Sequence, residues 1–368
     1  MALAHSPKIV TDGLVFMYDT GDGKSYKGEP TTNLITNSGT SNTGWVGYGW
    51  TGSQAISNDY PNTYEFTATN GWHNRTFDTG VTSGGTIYVS FQYKLKQQQT
   101  SQNQIFVLNG THLGSYTNYI GNGSMSFEWQ TFSGSFTANA NSSKIAIGPR
   151  GQDSSGLTDI VYIRNLQVEQ KPHATPFVNG TRSATQGLLD RTGNTTIDLS
   201  NASFDSSAQM TFDGTDDIIN TGLFSGRNPS TDPFTVEAVV RSDVTSGNKI
   251  WIDATSNGSN QRFYSALIDS TSHAIGIQGS AWSDPVPSDT NWHHQVIVMD
   301  GSTAKAYNNG ELASSKSYTS YTLAGGLNIG GRSGYRWVGQ IPIFKLYNKA
   351  LTASEVLQNY NATKSRFL

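Results

Sequence analysis

Six aromatic residues crowd one polar stretch of this sequence: Trp45, Tyr48, Trp50, Tyr60, Tyr64 and Trp72 stand among Gly, Asn and Ser. Flat rings beside amides and hydroxyls suit a sugar, whose C–H face stacks on the ring while its hydroxyls find polar partners. Trp45, Tyr48, Trp50 and Trp72 are therefore glycan-binding candidates, and Trp282, Tyr335 and Trp337, in or near loops further on, join them. Packing is the competing use of each ring. A second chemistry is offered by Asp213, Asp216 and Asp217 around Gly214. Several hard carboxylate oxygens in one short loop are what calcium requires. Tight-turn formation, in which Asp bonds its own backbone, explains the same residues without an ion. Apart from a structural calcium at these three positions, no cofactor is expected.

Catalysis finds less support. Hydrolysis of a glycosidic bond needs two carboxylates flanking it from one strand face. Glu237 stands alone in its run, and Glu128, Glu169, Glu311 and Glu355 are scattered. Asp216 and Asp217 are adjacent and face opposite sides of an extended chain. No catalytic residue is assigned, and the chain reads as non-enzymatic. His293 and His294 are adjacent too, so as strand neighbours they do not readily share one metal ion.

The elements that must position these residues are strands. Helical periodicity is nearly absent from Ile9 to Lys349, where apolar residues come in short runs or strict alternation. Val81 to Leu95 reads as a strand through Ile87, Val89, Phe91 and Tyr93. Similar runs include Phe234–Val240, His294–Met299 and Ile341–Tyr347. Asn308-Asn309-Gly310 between two runs predicts a hairpin, because Asn and Gly accept positive φ. One helix is expected, at about 353–363, with Thr352 and Glu355 at capping-box spacing. The fold class is all-β: two β-sandwich (jelly-roll) domains and one short C-terminal helix.

Composition agrees. Charged residues are 14% of the 368, against about 25% in an average soluble protein, so surface polarity falls to Ser, Thr, Asn, Gln and Gly. With 24 basic and 27 acidic residues, no bulk basic surface exists to release counterions from phosphates, and no nucleic-acid partner is expected. No apolar run approaches the ~18 residues of a membrane span, so no membrane partner is expected either. Cysteine is absent, which excludes disulfides and thiolate metal sites. Met1–Lys8 shows no charged leader followed by an apolar stretch, so no secretory signal is expected.

Several motifs resemble known families. WHHQVIVMDGSTAKAYNNGEL (Trp292–Leu312), FDGTDDIINTG (Phe212–Gly222), FTVEAVVRS (Phe234–Ser242) and LNIGGRSGYRWVGQIPIFKLYNKALTASEVLQNYNA (Leu327–Ala362) occur in an order that resembles the laminin-G-like jelly rolls of the concanavalin A-like lectin/glucanase superfamily. Pro342-Ile343 departs from the Asp-Glu often found there, and a proline without a ladder donor predicts an edge or a bulge. TTNLITNSG (Thr31–Gly39), WQTFSGSFTA (Trp129–Ala138) and VYIRNLQVEQKPHATPF (Val161–Phe177) resemble a carbohydrate-binding-module jelly roll. Arg164 stands where that family commonly bears an Asp linked with calcium, and a cation there repels the ion. The opening DGLVFMYDTGDGKSY (Asp12–Tyr26) resembles the first strand of laminin-G-like modules in bacteriophage virion proteins.

These resemblances imply a division into 1–30, an arm or first strand belonging to the C-terminal sandwich; 31–177, a carbohydrate-binding-module-like sandwich; and 178–368, a laminin-G-like sandwich. Three serial pieces are the alternative. Pro172 and Pro176 mark the connector. The function implied is that of a bacteriophage virion structural protein, as capsid decoration, head fibre or tail fibre, displaying lectin-like modules for weak glycan or host-surface binding. Its partners would be virion shell or tail proteins and cell-surface glycans, with many copies or a homo-oligomer on the exposed particle surface and assembly in the host cytoplasm. The alternatives are a soluble carbohydrate-binding protein or adhesin, and then a polysaccharide hydrolase.

Overall fold

A computed structural model describes residues 8–48, 53–68, 71–72, 74–98, 104–109, 118–120, 125–138, 144–151, 159–254, 263–269, 272–277, 280–284, 287–323 and 325–367. Among the described residues the chain is all-β apart from one helix, Ala353–Phe367. It divides into two compact units: Met1–Glu29 with Ser183–Asp205 and Gln209–Leu368, and Pro30–Arg182 with Ser206–Ala208.

In the first unit the strands Phe234–Ser242, Trp292–Met299 and Val338–Tyr347 form the middle of a sheet that is eight-stranded among the described residues. Val236, Ala238 and Val240 point to one face, as do Ile297, Met299, Phe344 and Leu346, and there they meet Trp251, Ile252, Phe263 and Ile275 of a second sheet. Alternation thus delivers one apolar side per strand to a shared core. The other face packs Val296, Val298 and Tyr347 against Val10, Leu351 and Val356 at the C-terminal helix. Leu14–Asp19 pairs antiparallel with the closing strand, from Leu14 opposite Tyr347 to Asp19 opposite Ile343.

Pro342 sits where the register shifts: Val239 opposes Ile343, but Arg241 opposes Gln340, leaving Ile341 and Pro342 as a bulge. A bulge tolerates the missing ladder donor, which explains how a proline enters an interior strand. The hairpin forms between Thr303–Asn308 and Glu311–Ser317, with φ of 52° at Asn309 and 83° at Gly310. Thr352 and Glu355 form the reciprocal cap: Glu355 Oε2 accepts the Thr352 N–H at 2.8 Å, and Thr352 Oγ1 accepts the Glu355 N–H at 3.3 Å. The helix continues to Phe367, beyond the expected 363.

The second unit has a five-stranded and a six-stranded sheet among the described residues. The strand expected from Val81 begins at Thr86, after a turn through Gly84 with φ of 85°. Ile87, Val89, Phe91, Tyr93 and Leu95 are all buried and every intervening residue is less so. The segments on which this unit opens and closes, Thr31–Thr32 and Thr181–Arg182, pair with each other. The unit therefore runs to Arg182, past the boundary expected at 177. Inside it Thr31 donates to the buried Glu169 at 2.7 Å.

Candidate functional site

Glu237 is the first residue to test for chemistry, since it lies on a central strand, cross-strand from Lys345 and Val296. Its side chain faces the helix and is fully buried. One oxygen accepts from the Lys345 ammonium and lies 3.0 Å from His294 Nε2; the other accepts from Asn359 Nδ2 at 2.6 Å. Burial alone would raise this carboxyl, but the Lys345 charge and the His294 contact outweigh it and bring Glu237 down to about 2. Asn359 passes the network onward, accepting the Val10 N–H at 2.7 Å and donating to the Tyr347 hydroxyl at 2.9 Å. Tyr347 in turn donates to the Val10 carbonyl at 3.1 Å. Glu237 is thus an internal anchor for the helix and the N-terminal segment, out of reach of a substrate. His293 turns to the opposite face, with Nε2 2.8 Å from Asp289 and Nδ1 3.2 Å from Asn308. The two histidines share no partner.

The three aspartates do come together. Asp213 closes the strand Met210–Asp213, and Gly214 turns the chain with φ of 85°. Ligand atoms of Asp213, Asp216 and Asp217 all lie within 4.8 Å of one another. Asp213 Oδ1 accepts the Thr215 N–H at 2.7 Å, which holds Asp213 below its ordinary value. Asp217 is buried; its Oδ2 accepts the Asp213 N–H, while its Oδ1 has no hydrogen-bond partner. Burial pushes Asp217 up to about 6, and the Asp213 carboxylate adds to that. An unpartnered buried carboxylate oxygen beside two exposed ones is a donor set suited to a hard cation. Lys249 stands at the rim, its Nζ 3.7 Å from where a Gly214 Cβ would lie, so an ion there would compete with an ammonium.

The aromatic candidates separate. Trp45 is 7% exposed, wedged 5.8 Å from Tyr64 and 5.6 Å from Phe77, with its indole N–H on the Tyr64 hydroxyl. Trp337 is 2% exposed in the core of the first unit. Neither is a platform, because a ring enclosed by side chains has no face left for a sugar. Tyr335 is at the surface, with the Arg332 guanidinium 4.9 Å over its ring and Arg332 also 3.5 Å from the buried Asp253. Tyr48, Trp72 and Trp282 lie on the strands Trp45–Tyr48, Gly71–Trp72 and Ser280–Asp284. Trp50 lies outside the described residues.

Residues 213–357 match the family model of the concanavalin A-like lectin/glucanases superfamily. The matched segment holds both the aspartate loop and Glu237. Among solved structures, the chain is similar to domain 4 of AbnA, a GH43 extracellular arabinanase of Geobacillus stearothermophilus, in complex with arabinotriose. Identity there is 16%, over 48% of this chain and 93% of that one, with a TM-score of 0.36. It is also similar to the binding domain of Paraclostridial Mosquitocidal Protein 1, at 17% identity and a TM-score of 0.37, over 48% of this chain and 49% of that one. A third is the CBM40 of the Ruminococcus gnavus IT-sialidase bound to α2,3 sialyllactose, at 13% identity and a TM-score of 0.30, over 34% and 80%. Among curated proteins, none matches this chain.

Outside the matched segment, the second unit carries a cluster that reading by residue type missed. On the five-stranded sheet Tyr60 packs 5.3 Å from both Trp129 and Tyr162. Lys94 lies 4.5 Å over Tyr60, and the Arg164 guanidinium lies 3.8 Å over Trp129. Arg164 also donates to Gln92 at 2.7 Å, so the position expected to repel calcium serves as a cation–π partner. Gln92, Lys94 and Lys96 alternate with the buried Phe91, Tyr93 and Leu95. That polar alternation is the signal that marks this face as the outer one.

Proposed function

We propose that this chain is a non-enzymatic binding and display protein, a bacteriophage virion structural protein whose lectin-like module contacts glycans or host surfaces. The observation that carries this reading is the fate of Glu237. In a superfamily that includes glucanases, the lone carboxylate of this central strand is sealed beneath the helix by Lys345, His294 and Asn359. A glycosidase needs a pair of carboxyl groups open to the sugar. The match of residues 213–357 to a lectin-like superfamily supports binding. The resemblance of Asp12–Tyr26 to first strands in phage virion proteins supports the virion assignment, with Leu14–Asp19 completing the large sheet. Multicopy display on a shell or tail would make weak glycan contacts effective through avidity. A structural calcium at Asp213, Asp216 and Asp217 belongs to the same reading.

Antibody labelling of purified particles tests the display role, and decorated particles are the expected result. Particles without label, combined with glycan binding by the isolated protein, would make it a soluble carbohydrate-binding protein or adhesin instead. Sustained release of reducing ends from β-glucans would overturn the non-enzymatic reading.

A further inference from the structure

The C-terminal helix does not cover the whole outer face of the large sheet. Where it ends, a cavity of about 410 Å³ opens in the first unit, lined among others by Thr20, Gln209, Trp292, Gln340, Arg366 and Phe367. Five separate stretches of chain build it. Trp292 begins its strand two residues before His294, so alternation puts its ring on the helix side of the sheet. Phe367, the last residue of the helix, meets Trp292 with centroids 5.0 Å apart and planes at 55°, making an angled apolar corner. Gln340 precedes the Ile341–Pro342 bulge, and the Thr20 N–H donates to the Pro342 carbonyl at 2.8 Å, which ties the wall at Thr20 to the bulge.

Charge narrows the ligand. Arg366 grips Asp19 with both terminal nitrogens, at 2.6 and 2.8 Å. Arg241, whose guanidinium lies 5.2 Å over the Trp292 ring, is matched by Asp243 at 3.0 Å. Both guanidiniums near the cavity are thus neutralised, which removes the reason for an anion to bind there. What remains is an aromatic corner, the Gln340 amide with no hydrogen-bond partner among the described residues, and the Arg366 N–H groups that Asp19 leaves unused. An amide can both donate to and accept from neighbouring hydroxyls. Small-molecule pockets run from about 300 to 1,000 Å³, so this one is sized for one or two sugar rings.

We infer that this cavity binds a neutral hexose, alone or at the end of a glycan, with the sugar's C–H face on Trp292 and Phe367 and its hydroxyls on Gln340 and Arg366. The inference rests on the glycan-binding reading and adds to it a site and a class of sugar.

The test uses the full chain. Saturation-transfer NMR with glucose, galactose, mannose and their disaccharides is run beside sialyllactose and a sulfated sugar as anionic probes. At least one neutral sugar should bind saturably, and Gln340→Ala and Phe367→Ala should each weaken it about tenfold or more, with the melting temperature of Q340A unchanged. Q340A keeps the outcome readable if loss of Phe367 loosens the helix end. Neutral-sugar binding that survives both substitutions would remove this site while leaving the glycan-binding reading intact. Binding of the anionic probes alone would overturn the class of sugar. No binding by any probe, with a glycan array also blank, would overturn the site and the glycan-binding reading together.

Discussion

Replacing Lys345 by methionine removes the only ammonium that faces Glu237 among the described residues, and the cost follows from the geometry. Both side chains are essentially without solvent contact, at 0% and 1% exposure. In the folded chain Glu237 titrates at about 2 instead of its ordinary 4.5. At about 1.4 kcal/mol per unit, that depression corresponds to roughly 3 kcal/mol of stability. Because the folded value is the lower one, the contribution is fully present above about pH 4.5 and is lost as the pH falls toward 2. In Lys345→Met only His294 and Asn359 still face a buried carboxylate, and breaking a buried pair from one side costs about 3–5 kcal/mol. For a unit of roughly 200 residues, at about 2–4 °C per kcal/mol, the melting temperature should fall by roughly 10 °C. The double variant Glu237→Leu/Lys345→Met removes both charges and should return to within about 1 kcal/mol of the parent, since apolar replacement of a whole buried pair is often neutral. Urea unfolding followed by tryptophan fluorescence at pH 7 and pH 2.5 reads the parent, Lys345→Met, Glu237→Leu and the double variant. A single variant costing under about 1 kcal/mol, or a double variant as unstable as the sum of the singles, would refute the assignment of Glu237 as an internal anchor.

Three further outcomes are expected. Millimolar calcium should raise the melting temperature of the parent but not of Asp217→Asn; a parent indifferent to calcium and to EDTA would reduce the aspartates to turn formers. Thr352→Ala should cost about 1 kcal/mol by opening the cap it shares with Glu355, and an unchanged urea midpoint would contradict that. Gly310→Ala should destabilise more than Gly226→Ala. Both positions have positive φ, but a Cβ at 310 would come within 2.9 Å of the Tyr360 ring whereas one at 226 meets nothing within 4 Å. Equal costs for the two would show that the hairpin and helix do not press together there.

Much of the local structure was readable because its causes are local. The alternation of Ile87, Val89, Phe91, Tyr93 and Leu95 alone predicts a half-buried strand, and the core takes all five. Asn309-Gly310 and the Thr352–Glu355 spacing announce a turn and a helix start within a few residues, and both occur. The motifs from Phe212 to Ala362 likewise carried the resemblance that the family match confirms over 213–357. The rings were harder. Composition shows that Trp45 sits among small polar residues, but not that Tyr64 and Phe77 close over it.

By itself, then, the sequence determined an all-β fold class, its turns, its C-terminal helix and the family resemblance of the segment that the family model matches over 213–357. Tertiary structure alone decided what each chemically capable residue is for. Glu237 meets His294, Lys345 and Asn359 across 57, 108 and 122 residues of chain. The cavity beside Trp292 draws its walls from segments as far apart as Thr20 and Phe367. Periodicity says which residues share a face. Which face is covered, by what, and with which charge beside it depends on segments that meet only when the sheets close.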